Sequence, residues 1–337
     1  MPRPVSHCVS AVVLVLIAGL IVPKVEAQTV KFFQIATGNT VGSYFPIGRL
    51  IASAITNPPG SRTCAEGGSC GVPGLIAVAH STQGALQNIQ MIDRGQVDSG
   101  FVQADLAHLA YLGSGPFRGT GPVDNLRAIA NLYSESVQVV IRRESGIRDF
   151  ADLAGRRISL GTRQGGTAER ALAVLAAHAI SGDQIIKEYD DPARAADRIR
   201  AGQLDAMIVI DGYPMPVVTD LADDGIVDLL SIRGAAADAL LAEYPYFRTQ
   251  RIPAGAYKGI GSKATIGVDA HWLTSATIDA DLIYRITKAL WNPGNRKLLD
   301  GGHPKGRRIR IESALDRLAV PLHEGAQRFY RERKLLN

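Results

Sequence analysis

Two glycine-bearing loops, Thr37-Gly38-Asn39-Thr40-Val41-Gly42-Ser43 and Gly161-Thr162-Arg163-Gln164-Gly165-Gly166-Thr167, each sit between an apolar strand-like run and an amphipathic helix-like run. A loop of this kind leaves the first N–H groups of the helix unpaired and puts the positive end of the helix dipole beside them, which favours a carboxylate or a phosphate. Ser81-Thr82 introduces a third helix-like run in the same way. Each loop taken alone is equally an ordinary tight turn; equivalent loops in two halves of the chain argue for a shared anion site. Polar side chains gather at the ends of the apolar runs: Gln103, Asp105, Asp211 and Tyr213, with Tyr44 just after the first loop. The Gln103 amide can both donate to and accept from a ligand. Glu135, after the apolar run Leu126 to Leu132, suits an ammonium group or water equally, and Asp105 and Asp211 serve as well for capping helices or holding turns.

Other chemistries lack their parts. Gly161 and Gly166 have the spacing of a phosphate-binding P-loop, but Thr167 stands where a lysine must reach the phosphates, so a nucleotide is not expected. Gly67-Gly68-Ser69-Cys70-Gly71 matches the hydrolase elbow in letters, whereas that elbow needs a strand before the serine and a helix after it, and here Cys70 and Pro73 follow. His80, His108, His178, His271, His303 and His323 show no close ligand spacing. No catalytic group, metal or cofactor is expected.

The elements that would position these loops repeat. Gly95-Gln96-Val97-Asp98 and Gly202-Gln203-Leu204-Asp205 each end a helix-like stretch, with glycine supplying the left-handed stop, and each opens an apolar strand. In the first unit, Thr29 to Ala36 reads as a strand. A helix then starts near Pro46 with Ile47, Leu50, Ile51, Ala54 and Ile55 as its core stripe, Gly74 to Ala79 and Val97 to Val102 read as strands, and a helix from Ser81-Thr82 to Arg94 lies between them. The second unit repeats the order with strand Arg157 to Leu160, a helix carrying Leu172, Leu175, Ala176 and Ala179, a helix opened by Pro192, and strand Leu204 to Ile210. Alternating strands and helices imply an α/β fold with a mostly parallel sheet in each of two lobes. Ligands of such sheets collect beyond the carboxyl ends of the strands, where both loops fall.

Residues 1–27 read as a cleavable leader: Arg3 and His7, an apolar run of 14 residues from Val9 to Val22, then Val25-Glu26-Ala27. Cys8 precedes the apolar run, so a lipid anchor is not expected. About 310 residues remain, enough for two domains. Losing Arg3, Lys24 and Glu26 takes one positive charge from the formal +5. Much of the surplus lies in Lys305, Arg307, Arg308 and Arg310 and in Arg328, Arg331, Arg333 and Lys334, a solvated C-terminal surface or a face for docking to a membrane partner or anionic headgroups. Outside the cytoplasm, nucleic acid is excluded and Cys64 and Cys70 are expected to form a local disulfide.

These residues also carry a resemblance. Thr37-Gly38 through Gly42, followed by Tyr44-Phe45-Pro46 and Gly48, resembles the opening motif of the TAXI type of TRAP transporter solute receptors. In order there follow Ser81-Thr82 with Gly84, Gln103 with Asp105, Gly165-Gly166, Gly212 with Pro214, Ile252-Pro253 with Gly255, Tyr257-Lys258-Gly259, and Pro321-Leu322-His323 with Gly325-Ala326. The resemblance implies a two-lobed periplasmic binding fold of the second type. Lobe I would take residues 28–136 and 272–337 and lobe II residues 137–271, with a monomer in the periplasm handing a small anionic solute, glutamate or a related acid, to the integral membrane subunits of a TRAP transporter. It implies ligand contacts from Thr37, Gly38, Ser43, Tyr44, Gln103, Asp105, Glu135, Gly165, Gly166, Thr167 and Tyr213. Ala36, Ser43 and Tyr213 depart from the usual pattern, which bears on the solute more than on the fold. A receptor serving an ABC importer or a sensor is the alternative reading, and a secreted enzyme a more distant one.

Overall fold

The computed structural model describes Met1, residues 30–163 and residues 165–336. The leader reading of residues 1–27 therefore lies, Met1 aside, outside the described residues. In chain order the elements are β1 (Lys31–Ala36), α1 (Tyr44–Ile55), β2 (Thr56–Asn57), β3 (Val72–Pro73), β4 (Leu75–His80), α2 (Ala85–Asp93), β5 (Ser99–Gln103), α3 (Ala104–Tyr111) and β6 (Leu126–Arg142). There follow β7 (Arg157–Ser159), α4 (Thr167–Ala177), β8 (Ile186–Glu188), α5 (Pro192–Arg200), β9 (Ala206–Asp211), α6 (Pro216–Asp223), β10 (Val227–Leu230), α7 (Ala235–Glu243) and β11 (Arg248–Ile252). β12 (Lys263–Ser275), α8 (Ala280–Leu290), α9 (Arg296–Gly302) and α10 (Glu324–Glu332) complete the chain.

The strands form one mixed sheet in the order β3-β2-β4-β1-β5-β12-β6-β9-β7-β8, with β10 on β6 and β11 on β12. Two parallel groups stand apart in it, β4-β1-β5 and β9-β7-β8, one per lobe. Between them run the antiparallel pair β6 and β12, of 17 and 13 residues. At about 3.3 Å per residue, β6 spans roughly 55 Å, enough to pass through both lobes. Its sequence, Val- and Ile-rich and buried almost throughout, is that of a strand covered on both faces. One buried apolar cluster packs under α1, α8 and α10 of lobe I, a second under α5 and α6 of lobe II, and a third extends across both lobes from Ile89 and Leu106 to Leu175 and Phe247. No helix of the described residues is long and apolar enough to cross a membrane.

Local signals act as expected where backbone geometry decides. Gly95 and Gly202 take φ +64° and +69° just past α2 and α5, and Pro192 opens α5 with Asp191 capping it. Two readings shift. Helix α2 begins at Ala85 with Gly84 as its cap, because Thr82 is drawn away to Thr37 and Asn88 and only receives the Gly84 N–H. Helix α4 turns Arg170, Ala171, Val174 and Leu175 inward, leaves Ala176 exposed and ends at Ala177, short of Ala179; its buried face is shifted from the apolar stripe because Arg170 is itself buried against an ion partner.

Cys64 and Cys70 are bonded, and the staple packs beside Gly294, where a Cβ would come within 2.6 Å of Cys70 Sγ. Closing so short a loop restricts the unfolded chain, so Cys64→Ser/Cys70→Ser is expected to cost about 2 kcal/mol in urea denaturation. A midpoint shift no larger than that of a neutral surface substitution would count against the entropic account.

Candidate functional site

A narrow crevice of about 80 Å³ lies between the lobes. Gly38, Tyr44, Gln103 and Glu135 wall it from one side, and Gly161, Gly165, Thr167 and the end of β9 at Asp211 from the other. Of the residues expected at a ligand, Gly38, Tyr44, Gln103, Glu135, Gly165 and Thr167 line it. The other five are engaged around it. The Thr37 hydroxyl donates to His80 O at 2.6 Å, Ser43 and Asp105 bond partners in the opposite lobe, Gly166 is packed against Leu106, and the Tyr213 ring lies under Lys305, whose Nζ is 4.1 Å from its centroid.

The start of α1 shows how the first loop is used. The Ser43 N–H donates to both carboxylate oxygens of Asp211 at 3.1 Å, the Ser43 hydroxyl donates to Asp211 Oδ1, and Gly212 N–H donates to the same oxygen at 2.6 Å. Gly42 admits this approach, since a Cβ there would stand 2.6 Å from Asp211 Oδ2. The anion drawn to the positive end of α1 is thus the protein's own, reaching across from the end of β9. Asp211 acts as a cap, but for a helix 168 residues away in sequence.

Beside it, Glu135 is 1% exposed, which excludes a solvated role. Its Oε2 accepts from Gln103 Nε2 at 2.9 Å and from Tyr44 OH at 3.2 Å. Burial pushes its pKa well above the usual carboxylate range, with the charge of Asp211 adding to the rise, while the Gln103 and Tyr44 bonds and the Lys305 charge oppose it. Asp211 is also raised, by burial, against the restraint of its Ser43 and Gly212 bonds. Lys305 donates to Ser134 O at 2.8 Å and is itself lowered by burial to about 8. Tyr44 and Tyr133 are held protonated by burial and by the charge of Glu135. Gln103 is 5% exposed and its Oε1 has no partner, an acceptor left facing the crevice wall.

At the far end, two helix starts converge. Gly84 caps α2 and Gly166 caps α4, and a Cβ on Gly84 would stand 3.3 Å from Gly165 Cα. The Thr162 hydroxyl donates to Gln83 O at 3.4 Å. Helix α2 has no acidic residue in its first turn, and Glu169 of α4 is exposed. Both N-termini therefore offer N–H groups without a carboxylate of the chain between them. Sequence reasoning passed over Asn39, Gln83, Thr162, Tyr133 and Arg170, and placed Lys305 on a basic surface rather than at the site. The first three lie inside or beside the loops it named and were within reach; Tyr133 and Arg170 carry no local signal, and the signal of Lys305 is only that of its basic neighbours. Among the described residues no cluster of His, Cys, Asp or Glu is arranged to hold a metal.

Comparison with solved structures gives the fold. MatC from Rhodopseudomonas palustris with bound malate aligns at a TM-score of 0.51 and 12% identity, over 90% of this chain and 97% of that one. A protein from Bordetella bronchiseptica RB50 aligns at 0.50 and 15%, over 90% and 98%. The alkanesulfonate-binding protein SsuA from Xanthomonas axonopodis pv. citri, bound to MOPS, aligns at 0.47 and 17%, over 92% and 95%. At these identities the likeness is one of fold: α/β, a mixed sheet flanked by helices, of the periplasmic binding protein type. The family model for NMT1-like proteins matches residues 35–333, and the chain belongs to the NMT1-like family.

Proposed function

We propose that this protein is an extracytoplasmic solute receptor that closes on a small amino acid and returns it unchanged to a membrane transporter. The observation that carries the reading is the pairing, in one crevice, of a buried acceptor without a partner, Gln103 Oε1 beside Glu135, with two converging helix N-termini that lack a carboxylate. An α-amino acid matches both ends: its ammonium against Gln103 and Glu135, its carboxylate against the N–H groups around Gly84 and Gly165 to Thr167. Because Asp211 already occupies the start of α1, a second solute carboxylate would meet like charge there, so a zwitterion fits better than a dicarboxylate. Closure follows from contacts the solute makes to both lobes at once. Thr37, Ser43, Asp105, Gly166 and Tyr213 are then supports of the closed form rather than direct contacts.

For the partner, the motif resemblance supports a TRAP permease of the TAXI type and a periplasmic location. A receptor serving an ABC importer is the alternative. A neighbouring multi-span permease gene without an ATPase gene favours the first.

A thermal-shift panel of glutamate, glutamine, 2-oxoglutarate and malate tests the solute class. A binding solute at 100 times its dissociation constant adds about 2.7 kcal/mol. Glutamine is expected to raise the melting temperature most, glutamate less because of its second carboxylate, and malate and 2-oxoglutarate to leave it in place. Gln103→Ala removes one bond to a charged group, so affinity is expected to fall roughly tenfold to a hundredfold by calorimetry. A panel in which malate alone stabilises would replace the amino-acid reading with the dicarboxylate one, and one in which nothing stabilises would remove both.

A further inference from the structure

The geometry points to a second binding site, for a small multiply charged oxyanion of the phosphate type, in the cavity of about 630 Å³ lined by Arg248, Lys305, Arg307, Arg308 and Arg310. Five cationic side chains face this space, and Asp316 is the one carboxylate among its lining residues. Two of the five have local partners: Arg248 pairs with Asp269, and Arg310 with Asp300 at 3.2 Å, although Asp300 is shared with Arg296 at 2.7 Å. Arg307 meets only a backbone carbonyl, donating from Nε to Asp300 O at 3.1 Å. Arg308 makes no ion pair or side-chain hydrogen bond among the described residues, and Arg248 Nε is a buried donor with no acceptor. Burial lowers the pKa of Lys305, the charges of Glu135 and Asp211 oppose the fall, and those of Arg308 and Arg248 add to it more weakly.

The backbone that carries Lys305, Arg307 and Arg308 is braced in place. The Arg296 guanidinium donates to Gly306 O at 2.6 Å and to Ile309 O at 2.5 Å, His303 Nδ1 accepts from Lys305 N–H at 3.1 Å, and Gly306 lies so close to Leu299 O that a Cβ would not fit. Ile309 is wholly buried between them. This bracing fixes the backbone from which the guanidinium groups reach, and their planar forks match the oxygens of phosphate. The walls come from both lobes, Arg248 on β11 and Tyr213 beyond β9 facing the loop after α9, so the ligand must be compact and carry charge on more than one side. That excludes a monocarboxylate as the best fit and a flat lipid surface from reaching the inner cations.

Calorimetric titration of the purified protein with inorganic phosphate and with pyrophosphate, ionic strength held constant with sodium chloride, tests this. The measurement uses no crevice solute, so its result stands apart from the proposed transport function. Saturable binding to one site is expected, with pyrophosphate the tighter. Arg308→Gln is expected to weaken it about tenfold and Arg307→Gln/Arg308→Gln about a hundredfold. Both side chains are exposed, so unchanged melting in chloride alone certifies the fold. Arg331→Gln/Arg333→Gln, exposed at the C-terminal end of α10 and outside the cavity lining, is expected to leave affinity unchanged. The site is overturned if neither anion saturates, if the α10 variant loses affinity as much as the cavity variants, or if vesicles of phosphatidylglycerol bind through these arginines while soluble phosphate does not.

Discussion

His271→Leu is expected to remove a pH dependence worth about 1.4 kcal/mol per pH unit from the stability of this protein between pH 6.5 and pH 3. His271 sits in the middle of β12, between Val102 of β5 and Asn131 of β6; it is wholly buried, and neither ring nitrogen has a partner. Burial alone lowers its pKa from 6.5 to about 3. In that window the unfolded chain binds a proton that the folded chain refuses, so stability falls as pH falls, by 2.303RT per unit and in total by roughly 5 kcal/mol. Glu135 and Asp211 act with the opposite sign. Their folded pKa values are raised, so their contribution is complete below the unfolded carboxylate pKa and is lost as pH rises through the folded values. Urea denaturation of both proteins at pH 7, 6, 5 and 4 isolates the histidine as the difference between two slopes. At pH 7 leucine should be no less stable, because it replaces a polar ring that satisfies nothing. Parallel pH profiles for wild type and variant would show that His271 is not buried neutral in the fold.

Arg170→Met is expected to shift the lobes from closed to open by a factor on the order of 100. Asp105 Oδ2 accepts from Arg170 Nε at 2.6 Å, with the two side chains 7% and 3% exposed, and Arg170 Nη1 donates to Gly166 O at 3.0 Å. Asp105 begins α3 in lobe I and Arg170 lies in α4 of lobe II, so this buried pair spans the crevice rim. Removing one member of a buried pair typically costs 3–5 kcal/mol, because the remaining charge is stranded. A chain with a hinge avoids that cost by opening, which returns Asp105 to water, so the free energy should appear in lobe separation rather than in unfolding. Small-angle scattering should give a larger radius of gyration for Arg170→Met, with a nearly unchanged urea midpoint. Replacing both partners, in Asp105→Leu/Arg170→Met, should restore the compact form, since apolar groups of similar volume replace such pairs at little cost. A scattering curve identical to wild type for the single variant would mean that the pair does not hold the lobes together.

These two residues also mark where reading the chain stops. His271 is one of six histidines without ligand spacing, and nothing beside it announces a buried neutral ring. Arg170 lies on a helix whose apolar stripe, read as Leu172, Leu175, Ala176 and Ala179, gave only part of the buried face: Leu175 is buried and Leu172 packs on the core, but Ala176 is exposed and Arg170, Ala171 and Val174 turn inward. The error has a physical source: periodicity scores arginine as solvent-facing, whereas a guanidinium with a carboxylate and a carbonyl to bond is buried readily. Glu135 and Lys305 are alike in this, since their protonation depends on burial first, and then on charges that approach only in the fold.

The alternation of strands and helices, the turns at Gly95 and Gly202, the Pro192 helix start, the Cys64–Cys70 staple and the strand-end placement of Gln103 and Asp211 all followed from the chain itself. Each rests on chirality, dihedral limits or contacts within a few residues, which are present in any local stretch. Only the tertiary structure decided that Asp211 would occupy the start of α1, that Arg170 would turn inward to Asp105, and that Gln103 Oε1 would be left without a partner. Those outcomes depend on which groups are brought within 3 Å after the chain has folded back on itself, and partners separated by 65 or 168 residues leave no trace in local periodicity.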